Sequence, residues 1–393
     1  MPGPLATLKI LDFTALLPGP YATMALADLG AAVVRVESPT RPDMVRSLPP
    51  YDGDTSAWHG VLNRNKRSLA LDLKRPEAIE AIRRLVGSGY DVVIEQFRPG
   101  VMDRLGIGYE ALRAANPALI FVSLTGYGQT GPLRDRAGHD NNYLALSGAL
   151  SYSGRRETGP PPLGIQVADV GGGALGALVG LLAAVVHRAA TGEGQHVDVS
   201  MFDMMVAWQA HLISHYFVAE ETPKPESMAL NGGRAYDLYE TADGRRLSVG
   251  SLEPKFWEGF CAAIGRPDLV APGLGGDAAM QAWVKDEVRA AIVARSLDEW
   301  VAVFAPLDVC AEPVLTVPEM LALPQVAARG LVVDVPRAEG GAQRQIGNPW
   351  RFSGGTAEYP STAYRHTGAA LGAHTAEVLR EAGFTEWEIE RLL

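Results

Sequence analysis

The sequence predicts an α/β fold, a parallel-sheet large domain joined to a second, smaller α+β domain, and three observations carry that expectation. In the first third, short apolar runs alternate with helical patterns, the order that builds parallel βαβ units. After Leu124 the chain turns glycine-rich and polar, as expected where the strands of an open sheet end and ligands bind. From Tyr236 the pattern becomes a hairpin followed by helices, which marks the second domain.

The elements follow in order. Strand-like runs begin at Leu8 (LKILDF), Ala32 (AVVRVE), Ser68 (SLALDL), Asp91 (DVVIEQF) and Leu119 (LIFVSL). Residues 20–29 read as a helix opened by proline, and 76–86 as another with Ile79, Ile82 and Leu85 on one face. A helix over 172–190, a turn at 191–194, the strand QHVDVSM and a long helical pattern through Tyr216 come next. Residues 223–227 read as a linker, so the large domain is expected over 1–222 and the small one over 223–330. In the small domain Asp243-Gly244 supplies a tight turn, and helices are expected at 255–264, 280–295 and 297–304, with a last one at 385–393.

Bulk properties exclude several function classes. The 393 residues carry a formal charge of −10, which argues against nucleic acid and anionic membranes as partners, since both need a basic surface. The two cysteines, Cys261 and Cys310, have neither metal-ligand spacing nor the density of a disulfide framework, so a reducing compartment, the cytoplasm, is expected. The opening residues show no secretory signal and the final Arg-Leu-Leu is not a peroxisomal address. The uncharged run 171–186 is shorter than the ~20 residues a membrane span needs and reads as a small-residue helix packed closely on a neighbour.

Four polar clusters could carry chemistry. Asn63-Arg64-Asn65-Lys66-Arg67 precedes a strand; with Arg35 and Arg98, also at strand ends, it could form a cationic rim for phosphate, although a solvated turn explains it alone. Gly138-His139-Asp140 puts an imidazole in a glycine-flanked loop, where it could move protons or be structural. Asp169 precedes Gly171-Gly172-Gly173 and an apolar helix; it is a cap, or a carboxylate beside free amides that could hold an enolate, the glycines admitting a ligand. Glu253 ends an apolar run before Pro254, where a surface carboxylate is the common case. No Ser-His-Asp spacing, Walker loop, GxGxxG or zinc ligand set appears. The residues alone therefore lead to a metal-independent α/β enzyme for a phosphorylated ligand.

The opening GPLATLKILDFTALLPGPYATMALADLGAAVVRVE, followed by NRNKRSLALDLK, VVIEQFRPGVMDRLGIGYE, SLTGYGQTGP, AGHDNNYLALSG, QVADVGGGALGALVGLLAA, GQHVDVSMFD and CAEPV, resembles the superfamily of α-methylacyl-CoA racemases and CaiB/BaiF (family III) CoA-transferases. That resemblance implies a Rossmann-like large domain, a carboxyl-terminal segment over 331–393 that returns to it, and an interlocked homodimer. It implies an acyl-CoA substrate, with coenzyme A as part of the substrate and no separate cofactor. Asp169 matches the transferases' nucleophile and the racemases' base; His139, in a GHD motif, and Glu253, in an EP motif, match the racemases and make racemase the first expectation. Under it, Asp169 and His139 are opposed bases, Glu253 orients His139, and Arg64, Lys66, Arg67, Arg98, Gly138 and Asp140 line the CoA site, Asp140 also orienting its loop.

Overall fold

The computed structural model describes residues 3–353 and 364–393; Met1, Pro2 and 354–363, which fall in the expected amino terminus and the expected returning segment, lie outside the described residues. The chain forms two compact units: one from Met1–Leu144, Leu163–Ala207 and Gln325–Leu393, the other from Ala145–Pro162 and Trp208–Pro324. Residues 145–162 and 208–222 thus fall in the second unit, not in the large domain that the linker at 223–227 suggests. The sequence conceals the switch because the crossings lie in or between helices, within Asp140–Leu146 and between Met201–Ala207 and Ala210–Ala219.

The first unit is organised by a six-stranded sheet. Its strands are β1 (Lys9–Phe13), β2 (Ala32–Glu37), β3 (Arg67–Ala70), β4 (Val92–Glu95), β5 (Ile120–Thr125) and β6 (His196–Ser200). They lie in the order β3-β2-β1-β4-β5-β6 with every pair parallel, the Rossmann arrangement. β4 and β5 are buried along their whole length, which is why they read as continuous apolar runs and not as alternating ones. Helix α1 (Pro18–Asp28) starts on proline, as does α2 (Pro76–Gly87), whose Ala78, Ala81, Ile82, Leu85 and Val86 are buried. The same core takes Val378, Leu379, Ile389 and Leu392 from the last two helices, Thr375–Glu381 and Glu386–Leu392.

A wide π-helical turn (Val167–Ala174) runs into α3 (Leu175–Thr191). Together they make a 25-residue helix of mean hydropathy 1.9, long and apolar enough to cross a membrane by length and composition, so the span is longer than the run 171–186 indicates. One face packs on the sheet: Gly176, Ala177, Leu178, Leu181 and Ala184 are buried, and a Cβ on Gly180 would stand 2.8 Å from Val197. On the other face Val179 and Val186 are 69% and 70% exposed.

The second unit holds a three-stranded antiparallel sheet, Ala311–Pro313, Arg246–Val249 and Asp237–Glu240 in that order. Its hairpin turns at Gly244, whose φ of +74° favours glycine. Helices Pro254–Ala263, Ala278–Ile292 and Leu297–Phe304 enclose a core in which Trp257, Phe260, Phe304 and Trp300 stack in series.

Two buried cations lock α1 and the sheet to the segment before β3. Lys66 Nζ lies 3.2 Å from Asp12 Oδ2 and donates to Thr23 Oγ1, Pro20 O and Asn63 Oδ1. Arg64 pairs with Asp28 at 2.6 Å and donates to Gln345 and the Ile346 carbonyl. Removing one partner of such a pair costs about 3–5 kcal/mol, because the other charge stays buried and unpaired. Asp28→Ala is accordingly expected to lower the urea midpoint by that free energy, while Asp28→Leu with Arg64→Met recovers most of it. A midpoint unchanged by the single substitution would show that the pair does not hold α1.

Candidate active site

The sheet order reverses between β1 and β4, which opens a crevice at the carboxyl ends of the strands. Two cavities lie along that edge. One, of about 600 Å³, is lined by Phe13–Leu16 after β1, Arg35–Ser38 at the end of β2, Asp72–Lys74 after β3, and Phe97. The other, of about 550 Å³, is lined by Leu16–Pro18, Gln96–Pro99, Leu124–Gly126, the loop carrying His139, Tyr143, Asp169 and Met201. Leu16 and Phe97 line both cavities.

His139 and Asp169 therefore stand in one cavity, although 30 residues separate them in the chain. His139 is anchored by its backbone, its N–H donating to Asn142 Oδ1 and its carbonyl accepting from Asn142 N. Tyr143 clamps the preceding turn: its hydroxyl donates to Gly138 O at 2.6 Å, and its ring packs edge-on against Tyr127. Asp140 points the other way. Its Oδ1 accepts from Ala168 N (2.6 Å) and Asp169 N (2.9 Å), tying the histidine loop to the turn that carries Asp169.

Asp169 is half-buried in the π-helical turn, a distortion common at functional sites. Burial, reinforced by the Asp140 charge and opposed by His139, pushes its carboxyl up to about 6. Among the described residues no hydrogen bond or ion pair is made by its carboxylate or by the His139 ring, so both are free to meet a ligand in the cavity.

Several expectations are corrected here. Arg64 and Lys66 are each 1% exposed and satisfied by Asp28 and Asp12, and Arg67 is bound by Glu377, Glu381 and Tyr90. None of the three lines either cavity, so the RNKR cluster is neither a cationic rim nor a solvated turn. Arg35 is likewise buried against Asp43. Of the expected rim, Arg35 still lines the first cavity, and Arg98 is exposed in the second, with one donated bond to Asp135 O at 3.3 Å. Gly138 also lines that cavity, whereas the Asp140 carboxylate is occupied by backbone amides and does not.

Of the amides around Asp169, those of Ala168 and Asp169 are taken by Asp140 and that of Val170 by Gln166 O. Gly172 and Gly173 serve packing: a Cβ on either would come within 2.9 Å of Met205 or Met201. Glu253 belongs to the second unit and is exposed at the N-cap of Pro254–Ala263 with no capping side-chain bond. Sequence reasoning passed over Asn142, Tyr143, Arg134 and Arg136, which line the His139 cavity; their signal was proximity to the GHD motif. Among the described residues no group of three or more His, Cys, Asp or Glu could hold a metal ion.

The raised Asp169 carboxyl has a thermodynamic consequence. A folded pKa of about 6 against an ordinary value of 3.8 means that ionisation costs stability, fully above the higher value and not at all below the lower. Asp169→Asn is expected to raise Tm by about 2–4 °C near pH 7.5 and to change it little at about pH 4. A melt with no gain at the higher pH would show that the carboxylate is not held at a cost.

Residues 5–374 match the description "CoA-transferase family III". The human protein named alpha-methylacyl-CoA racemase is 34% identical over 98% of this chain and 95% of its own length. A succinyl-CoA:mesaconate CoA-transferase of Haloarcula hispanica is 38% identical over 97% of each chain. The crystal structure of a CAIB/BAIF family protein from Brucella suis superposes with a TM-score of 0.82 at 30% identity, covering 97% of this chain and all of the other. A Rossmann sheet of this order, a histidine and a lifted aspartate in one cavity at its carboxyl edge, and matches along nearly the whole chain lead to one conclusion: this chain belongs to CoA-transferase family III.

Proposed function

We propose that the protein is a racemase that inverts the α-carbon of 2-methylacyl-CoA thioesters by transferring protons on opposite faces of an enolate. The observation that supports it most directly is the pairing of two unengaged groups, His139 and Asp169, in one cavity, with the carboxyl raised to about 6 and so suited to both taking and giving a proton. In one direction the Asp169 carboxylate takes the α-proton and the C–H electron pair moves into the thioester carbonyl as an enolate. The His139 imidazolium then delivers a proton to the other face, and the reverse reaction exchanges the two roles. Glu253 is assigned to support the His139 face on the resemblance alone.

Coenzyme A fits the adjoining cavity by its chemistry. Apolar Phe97, Val101 and Leu105 offer a surface for the base, and the exposed Arg41 and Lys74 offer charge for phosphates. Arg98, beside the shared Phe97, stands where the ester would cross from one cavity to the other. No cofactor beyond the substrate's own coenzyme A enters this reaction.

Deuterated water separates this reading from its rival. Wild-type protein is expected to exchange the α-proton of both enantiomers of a 2-methylacyl-CoA and to interconvert them. Asp169→Asn and His139→Ala should each reduce net racemisation at least a hundredfold, the scale of one general acid or base, and should differ in which enantiomer still exchanges. The second reading is a CoA-transferase with Asp169 as nucleophile, favoured by the transferase relative at 38% identity. It requires acyl exchange with a free acid that survives His139→Ala and fails in Asp169→Asn. Equal loss of exchange for both enantiomers in every folded variant would remove the two-base mechanism.

The active form is proposed to be a homodimer. The exposed stripe of Leu175, Val179 and Val186 on α3 is the kind of apolar face that a second copy covers. Light scattering is expected to give twice the chain mass down to nanomolar concentration; a single-chain mass there would rule the dimer out.

A further inference from the structure

Among the described residues four acidic side chains are buried, Asp12, Asp28, Glu37 and Glu95. The first three face cations, Lys66, Arg64 and Arg46 in turn. Glu95, the last residue of β4 and 4% exposed, has no ion pair among the described residues. The charges that act on it are the carboxylates of Asp103 and Asp198. A buried charge without compensation is costly. Burial, reinforced by those two acids and opposed by hydrogen bonds from Ser123 and the Phe97 N–H, lifts the Glu95 carboxyl to about 7.

Its position gives that charge a lever on both cavities. Glu95 Oε2 accepts the Phe97 N–H at 2.7 Å, and the walls of the two cavities share Phe97. Gln96 Oε1 accepts from Gly19 N at 3.1 Å, in the first turn of α1, and Arg98 follows in the second cavity. On the strand side, Ser123 of β5 pairs in register with Glu95, is hydrogen-bonded to it, and places its Oγ 3.0 Å from Nε2 of His196 on β6. His196 is exposed on this edge strand and stacks on Tyr109. The single hydroxyl hydrogen of Ser123 serves one of its two partners at a time. With Glu95 ionised, the hydroxyl donates to the carboxylate and the His196 Nε2–H donates to Oγ. With Glu95 protonated, the carboxyl donates to Oγ and the hydroxyl to the bare Nε2. A proton taken up at Nδ1 of His196 therefore ends on Glu95 when each hydrogen moves one place inward, and the buried group exchanges with solvent through the sheet.

We infer that Glu95 is a positioning residue for the thioester: its carboxylate holds the Phe97 N–H and so fixes loop 96–99 between the cavities, and its protonation loosens that hold. That role rests on the acyl-CoA reading above and adds proton-linked control of binding. A hydrogen bond to an ionised acceptor is roughly twice as strong as one to a neutral group. The loop is therefore ordered before the ligand arrives when Glu95 is ionised, and the ligand must order it when Glu95 is protonated. Glu95 lines neither cavity, and its action passes through Phe97.

Titration calorimetry with 2-methylpropanoyl-CoA, an achiral thioester that α-carbon inversion leaves unchanged, tests this on wild type, Glu95→Gln and Ser123→Ala from about pH 5.5 to about pH 8.5. Every other titrating group, on ligand and protein, is common to wild type and Glu95→Gln, so the ratio of variant to wild-type Kd reports Glu95. Glutamine matches the protonated carboxyl in shape and charge. The ratio is expected to be about tenfold at the upper pH, the scale of one charge-assisted hydrogen bond, and within about twofold of unity at the lower, turning near 7. Ser123→Ala removes a bond that favours the ionised form and should move the wild-type turning point to higher pH, a shift readable even if Glu95→Gln does not fold. Thermal melts report folding: with a carboxyl at about 7 against an ordinary 4.5, ionisation costs stability in full above the higher value, so Glu95→Gln is expected to melt no lower than wild type at the upper pH. A ratio above unity that is the same at every pH would make Glu95 a structural part only and overturn the role, as would a ratio of one throughout or a Ser123→Ala profile superimposable on wild type; each leaves the acyl-CoA reading standing. Failure of wild type to bind the thioester at any pH would overturn both.

Discussion

A lysine ammonium buried beside an aspartate carboxylate sets the geometry on which both cavities depend. Asp12, the last residue but one of β1, has both oxygens engaged: one accepts from Thr14 N and Oγ1, the other from Thr23 Oγ1 and Lys66 Nζ. Burial pulls Lys66 down to about 8, with Asp12 opposing the shift. The chain is thereby directed from β1 into Leu16, which takes a left-handed φ of 63° and donates its N–H to Asp43 at 2.9 Å. Residues 13–16 wall the first cavity and residues 16–18 the second. Replacing a buried ion pair by apolar groups often leaves net stability unchanged, so the contribution of this pair is measured better in loop position than in kcal/mol.

Asp140 repeats the device at the far side of the crevice. One carboxylate oxygen accepts two adjacent amides, making the histidine loop and the aspartate turn a single body. Proton transfer is sensitive to displacements of about 1 Å, and two groups from separate segments keep their spacing only through such a tie. The same carboxylate also raises its neighbour Asp169, so it positions and tunes the group at once.

Six strands and the main helices were legible because their signals are local: continuous apolar runs, prolines at helix starts, an Asp-Gly turn. His139 and Asp169 were legible for the same reason, each standing in a loop whose glycines and polarity are visible within ten residues. Arg64, Lys66 and Arg67 were misread because their partners Asp28, Asp12 and Glu377 lie 36, 54 and 310 residues away, and a cation's partner cannot be read from its own neighbourhood. Asp140's hold on the amides of Ala168 and Asp169 was hidden likewise, because it spans 28 and 29 residues. The strand Ala311–Pro313 is only three residues long, too short to show a period.

The first unit is assembled from three separate stretches of chain, and this bears on how the protein is made. Val378, Leu379, Ile389 and Leu392 complete the core that α2 and the sheet begin, and Arg84 meets Glu388 across 304 residues. Closing so long a loop adds little free energy, because the entropic term grows only with the logarithm of length, but contacts this remote form slowly. On the ribosome the core that α2 shares with the sheet therefore stays incompletely covered until nearly the whole chain has been synthesised. A nascent or truncated chain that lacks residues 375–392 exposes the packing surface of α2, so its characteristic failure is self-association before folding, and expression conditions that shelter nascent chains govern the yield of soluble protein.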